Sequence, residues 1–273
     1  MQYRLMQMTM SPAMLLNIIV GMAYLIINGL VGTFLLVRAK KAKLPNLIFL
    51  GLFFILITVS GMMQVSGNVF MMPMQAIGFV MLVPFTYHTF FKGQDGPYKH
   101  LALIAVVLAG ATIVLRVVRL MTGLDVELYH VNVALMGMLV VVTLTWLARS
   151  ALIAHRDVRG KAIEPWIKKR YLLVGWSTVI LAWTGIAPLF MRSGAGFTGS
   201  QALMIISMVT VSLIHAILSY LCWVMPRGFK RMLNGTSVEA DSTTTEMTEE
   251  EVLAMLEAAE ADDSEAEQEV VVT

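Results

Sequence analysis

Arg38-Ala39-Lys40-Lys41-Ala42-Lys43 sets four cations within six residues, between an apolar run at 12–37 and a second at 46–66. Each run matches the roughly 20 residues that a helix needs to cross about 30 Å of hydrocarbon. Working outward from this junction, further runs stand at 69–91, 100–121, 129–148, 171–191 and 201–225. The spacing predicts an all-α, polytopic membrane protein, a bundle of seven transmembrane helices. Of the 273 residues 58% are hydrophobic and 14% charged, far less charge than a soluble domain of this size carries.

The basic residues alternate sides. Lys92 and Lys99 fall in the third connection. Arg149, Arg156, Arg159, Lys161, Lys168, Lys169 and Arg170 fall in the fifth, and Arg227, Lys230 and Arg231 follow the last run. Arg4, Arg116, Arg119 and Arg192 make up the opposite side. Because cations are retained in the cytoplasm, the bias predicts an outside N-terminus and a cytoplasmic C-terminus in a multi-pass protein of the cell membrane. The first ten residues carry no cleavage-like small-residue motif, so the first run is expected to persist as a helix.

Three segments follow: an extracellular N-terminus (1–11), a seven-helix domain with a basic exit (12–233), and an acidic, mostly disordered cytoplasmic tail (234–273). Of the 18 acidic residues, 13 lie from Glu239 onward. Within the tail, Thr248-Glu249-Glu250-Glu251 has the form of a capping box, which predicts a short amphipathic helix at 249–260. That helix is expected either to dock on basic loops or a partner, or to stay solvated.

Methionine is over-represented, with 22 copies, and its placement is lopsided. Read with the predicted orientation, Met72, Met138, Met204 and Met208 belong to a set in the outer halves of the spans, and none lies well inside a cytoplasmic half. Flexible, polarizable thioethers suit a pocket that accepts varied apolar ligands, and they equally serve as core or lipid-facing filler. They also ligate Cu(I), which Met6-x-Met8-x-Met10 and Met71-Met72-Pro73-Met74 bring to mind as a minor alternative.

Arg116 and Arg119 share a face near the outer end of the fourth span, with Asp125 and Glu127 as possible partners. Either they snorkel to the surface or they form an anion-facing lip beside His130 and Asn132. His88 and His215 lie inside spans, where they can pair, relay protons, bind b-type haem or simply hydrogen-bond across helices. Asn17, Asn28, Gln75, Thr58 and Ser60 read as interhelical hydrogen-bonding groups. Pro84 and Pro188 predict kinks, and Gly29-x-x-Gly32 predicts a close helix contact.

No lysine falls inside a span, which leaves a retinal Schiff base no attachment point. The sequence has no phosphate-binding glycine loop, no His-Glu-x-x-His and no carboxylate within a span, so neither an enzyme nor an ion-driven pump is expected. No cofactor and no metal is assigned.

Seven spans in about 225 residues, an outside N-terminus, and an exit through Tyr220-Leu221-Cys222-Trp223-Val224-Met225-Pro226 into basic Arg227–Leu233 resemble the seven-transmembrane N-terminal sensor region of archaeal and bacterial histidine kinases. No kinase or other output domain is expected within these 273 residues. The resemblance implies a receptor-like sensor module that binds a small ligand and signals to a separate cytoplasmic protein. The expected ligand site is an outward-opening cavity between spans three, four, five and seven, built from Arg116, Arg119, His130, Asn132, Met72, Met138, Met204 and Met208. Pro45 and Pro165, Gly61 and Gly185, and His88 and His215 recur in a 3+1+3 order. That order is similar to the sugar-efflux and PQ-loop transporters and implies the alternative, a facilitative small-solute transporter. The proline-glutamine hinge of those transporters is replaced here by Pro73-Met74-Gln75.

Overall fold

The computed structural model describes residues 12–234 apart from 67, 69, 92–97, 123–124, 162 and 192–198, without the side chains of 12–14, 17, 125–127 and 199–200. The chain divides into two units, 1–233 and 234–273. The helix expected at 249–260 and the methionines at 6, 8 and 10 lie outside the described residues.

Among the described residues all regular structure is helical. The elements are α1 (Pro12–Lys41), α2 (Pro45–Val65), α3 (Met71–Phe90), α4 (Tyr98–Thr122), α5 (Asp125–Arg159), α6 (Pro165–Leu181), a short α7 (Trp183–Ile186) continued by a 3-10 turn (Ala187–Phe190), α8 (Gly199–Val224) and α9 (Arg227–Asn234). Six helical stretches among the described residues are long and apolar enough to cross a membrane: Ile18–Lys41, Pro45–Val65, Tyr98–Thr122, Leu128–Arg159, Pro165–Phe190 and Gln201–Val224. The remaining expected span is α3, a helix of 20 residues whose apolar run is diluted by Pro73, Gln75, Pro84, Thr86, Tyr87 and His88.

The sixth expected span starts earlier than its apolar run. The basic stretch ahead of that run is helical from Pro165 onward. Proline is well placed at a helix's first position, where its missing N–H costs no hydrogen bond and its φ is already helical. Trp166, Ile167 and Arg170 of its first two turns are buried. At its other end the helix breaks at Ala182, resumes as α7 and tightens into the 3-10 turn around Pro188. There the proline ring would clash with the preceding turn of a continuing α-helix. Pro84, in contrast, sits inside an uninterrupted α3.

Two helix pairs meet backbone to backbone. A Cβ on Gly32 would lie 3.0 Å from the Gly51 carbonyl oxygen, and one on Gly51 3.1 Å from that of Gly32. The predicted close contact of α1 is therefore made with α2. Further along the bundle, a Cβ on Gly185 would lie 2.9 Å from the Gly137 carbonyl oxygen and 2.9 Å from Val140. With no apolar driving force between helices inside lipid, close packing of small residues is what holds such contacts.

Buried hydroxyls satisfy themselves on their own helices. Thr58, Thr86, Thr112 and Thr178 each donate to the carbonyl four residues back, at 2.7–2.9 Å. This removes the cost of an unpaired polar group where water is absent. Ser60 instead crosses from α2 to the Met71 carbonyl at 2.8 Å.

All nine lysines of the sequence fall at one end of the expected bundle, here called the basic end, and the helix ends opposite form the lysine-free end. The basic end is tightly tied. Arg38 donates to the Val224 carbonyl at the end of α8, Lys169 donates to the Leu233 carbonyl, and Lys230 lies 3.7 Å from Glu164. Cations on the last carbonyls of a helix satisfy acceptors that have no intrahelical donor. Met225 takes a positive φ of 50° and, with Pro226, separates α8 from α9. Arg170 is buried with its guanidinium 5.1–5.3 Å from the ring centroids of Trp166, Tyr171 and Trp223.

Candidate ligand-binding cavity

A partly open cavity of about 380 Å³ runs from the lysine-free end, at Gln64, Met71 and Met191, down to His215. Its size is within the range of about 300–1,000 Å³ found for small-molecule sites. The wall is made by α1, α2, α3, α5, α6, α7 with its 3-10 turn, and α8. No described residue of α4 lines it. The cavity is therefore set further toward α1 and α2 than the expected site between spans three, four, five and seven.

Five methionines, Met71, Met72, Met136, Met191 and Met208, line the cavity. Aromatic faces come from Tyr24, Phe53, Phe54, Phe79 and Tyr129. Phe53 is held edge-on to Phe54 and Phe79, at 5.0 and 5.4 Å between centroids, which fixes the aromatic wall. Polar side chains are few and uncharged: Asn28, Gln64, Gln75, Thr184 and Ser212, with the imidazole of His215 at the floor.

The eight residues singled out in the sequence distribute as follows. Met72 and Met208 line the cavity. Asn132 is fully buried behind Met72 and donates to its sulfur at 3.4 Å, while its Oδ1 has no hydrogen-bond partner among the described residues. Arg119 is only 4% exposed and lies 5.4 Å from the Tyr129 ring centroid, so it stands behind a residue of the wall. His130 packs edge-on against the same Tyr129 ring but is exposed. Arg116 is half-buried on α4. Met138 is 57% exposed and faces away from the bundle, and Met204 is half-buried outside the lining. The side chains of Asp125 and Glu127 lie outside the described residues.

His88 on α3 and His215 on α8 do not converge. His88 is exposed and stacks on Phe49 at 5.7 Å, whereas His215 is buried and stacks on Phe54 at 6.3 Å. His215 Nε2 lies 3.3 Å from Ser219 Oγ, and the ring also faces the Ser177 backbone. Among the described residues no group of three His, Cys, Asp or Glu side chains is placed to hold a metal ion.

Sequence reasoning missed the contribution of α1 and α2. Tyr24, Phe53 and Phe54 read as ordinary apolar spans, with no chemical signature to set them apart. Asn28 and Gln75 were visible as polar residues inside spans, and the signal to follow was that both fall on a common cavity wall.

Below the cavity the described residues pack into a buried core. Leu35, Leu47, Leu50, Leu82, Phe85, Leu144 and Trp223 form a continuous buried core toward the basic end, with Phe85 edge-on to Trp223 at 5.3 Å. Compared with protein-family models, curated proteins and solved structures, the chain has no match.

Proposed function

We propose a receptor-like sensor of the cell membrane that binds a small molecule in the cavity and signals it to a cytoplasmic protein. In this reading seven helices span, α3 included, with the N-terminus outside and the basic end in the cytoplasm. At about 1.5 Å per residue, the 20 residues of α3 reach some 30 Å. Two of its polar positions face protein, Gln75 lining the cavity and Thr86 buried, while His88 is exposed. A span partly sheltered in this way needs less apolar character than one facing lipid.

The observation that carries the sensor reading is the course of α8. It lines the cavity with Met208, Ser212 and His215, then continues without a break to Cys222 and Trp223 and the pinned exit into α9. A ligand that shifts α8 moves the end of that helix, which the Met225-Pro226 turn joins to α9, while the residues beneath the cavity form a buried core. The lysine-free end is then the outer face, and Arg119 steadies the wall through Tyr129.

One packing observation favours the facilitative transporter as a second reading. Leu36 and the Gly32 carbonyl cover Gly51 on the next helix, and Leu152 and the Ala148 carbonyl cover Gly175 in the same way. The first and second helices of the two triplets thus pack alike, as an internal duplication would.

The two readings separate in lipid nanodiscs and proteoliposomes. For any metabolite that raises the melting temperature, the sensor predicts altered hydrogen exchange in α9 and no flux across the vesicle wall. Flux of that same compound, with α9 unchanged, would replace the sensor by the transporter.

A further inference from the structure

The cavity carries a chemical bias that narrows its ligand. Its described lining holds no Asp, Glu, Lys or Arg, so a full charge brought into it would lose its hydration without gaining a counter-charge. Polar groups collect near the floor on two neighbouring helices, Tyr24 and Asn28 on α1 and Ser212 and His215 on α8. The donors of this group are partly spent. Asn28 Nδ2 donates to the Tyr24 carbonyl at 2.7 Å, and Ser212 Oγ donates to the Met208 carbonyl at 2.8 Å. What Asn28 and Ser212 still offer toward the cavity is the Asn28 Oδ1, the second N–H of Asn28 Nδ2, and a lone pair of Ser212 Oγ, whose other neighbour is the Tyr24 hydroxyl. Above this floor the walls are thioether and aromatic.

We infer that the cavity selects an uncharged molecule with a largely apolar, flat body and a hydroxyl or amide N–H at one end, the donor end resting on Asn28 Oδ1 and Ser212 Oγ. The inference rests on the cavity being the ligand site, as proposed above. The methionine and phenylalanine walls take the body, since sulfur and ring edges both gain from an aromatic surface. The imidazole of His215 adds a further buried polar group at the same depth. Anions are excluded despite Arg119, because its guanidinium is held behind Tyr129.

Four probes of one shape test this: 4-phenylphenol, biphenyl, biphenyl-4-carboxylate and 4-phenylbenzylamine, titrated at neutral pH into the full chain in nanodiscs, with empty nanodiscs as the partition control. 4-Phenylphenol is expected to bind about fivefold more tightly than biphenyl, the worth of one net hydrogen bond, and the two charged probes at least as much more weakly again. The double variant Asn28→Leu, Ser212→Ala should bind 4-phenylphenol and biphenyl alike, and Ser212→Ala alone serves if the double variant fails to fold. Equal binding of phenol and biphenyl by the unaltered chain, or tighter binding of either charged probe, overturns the assignment while leaving the cavity a ligand site. Binding of none of the four above the control overturns the ligand-site reading itself.

Discussion

Gly185→Val is expected to destabilise the folded bundle severely. Its Cβ would stand 2.9 Å from both the Gly137 carbonyl and Val140, and the branched methyls need more room still. Neither neighbour is the free end of a flexible chain, so α7 would have to withdraw from α5. Overpacking of a close-packed interior costs about 1–3 kcal/mol, and more where backbone must move. We expect a loss at the upper end of that range or beyond, seen as a large fall in the midpoint of detergent-induced unfolding. Thr184, Gly185 and Pro188 line the cavity, so ligand-induced stabilisation should vanish with it. Gly110→Ala is the matched control, because a Cβ there meets nothing within 4 Å and the midpoint should move by no more than about 1 kcal/mol.

The second large effect is expected at the basic end. Arg170→Ala deletes a buried guanidinium that lies over three rings and whose Nη2 is 3.3 Å from the Tyr171 hydroxyl. A desolvated cation–π contact contributes up to about 2 kcal/mol, and the lost stem also leaves a gap among the aromatic rings. Together these predict a loss of about 2–4 kcal/mol. Arg170→Lys should recover less than half, since an ammonium cannot lie flat on several ring faces at once. Loosening is expected to be local first. Cys222, fully buried beside Trp223, should react with a thiol reagent markedly faster in Arg170→Ala than in the unaltered chain.

The distribution of lysine and arginine made the helical membrane architecture legible, because long apolar runs between cationic junctions have few other physical solutions. Helix boundaries were less legible. Pro165 opens α6 six residues before its apolar run, and what allows this is tertiary: Trp166 and Arg170 find an aromatic niche that no local pattern announces. The third helix shows the opposite limit, since Gln75 and Pro73 weaken its apolar signal although both sit against protein. For the cavity, the lopsided methionines pointed to the lysine-free end, where five of them line it. Which helices surround it was not legible. Spacing along one helix says which face a residue occupies, but the partner of that face depends on crossing contacts such as Gly32 with Gly51 and Gly137 with Gly185. Arg119 illustrates the difference: as a sequence feature it is a charge near a span's end, and in the fold it is a support behind Tyr129.

The central claim, a cavity that opens to the outside of the cell in a bundle whose basic end is cytoplasmic, is open to one direct measurement. In a Cys222→Ser background, single cysteines are placed by Gln64→Cys at the cavity mouth and by Lys43→Cys and Lys230→Cys at the basic end, and intact cells are treated with a membrane-impermeant maleimide. The account predicts labelling of Gln64→Cys in intact cells, and of Lys43→Cys and Lys230→Cys only once the membrane is permeabilised. Labelling of either basic-end position in intact cells, with Gln64→Cys protected, would contradict it.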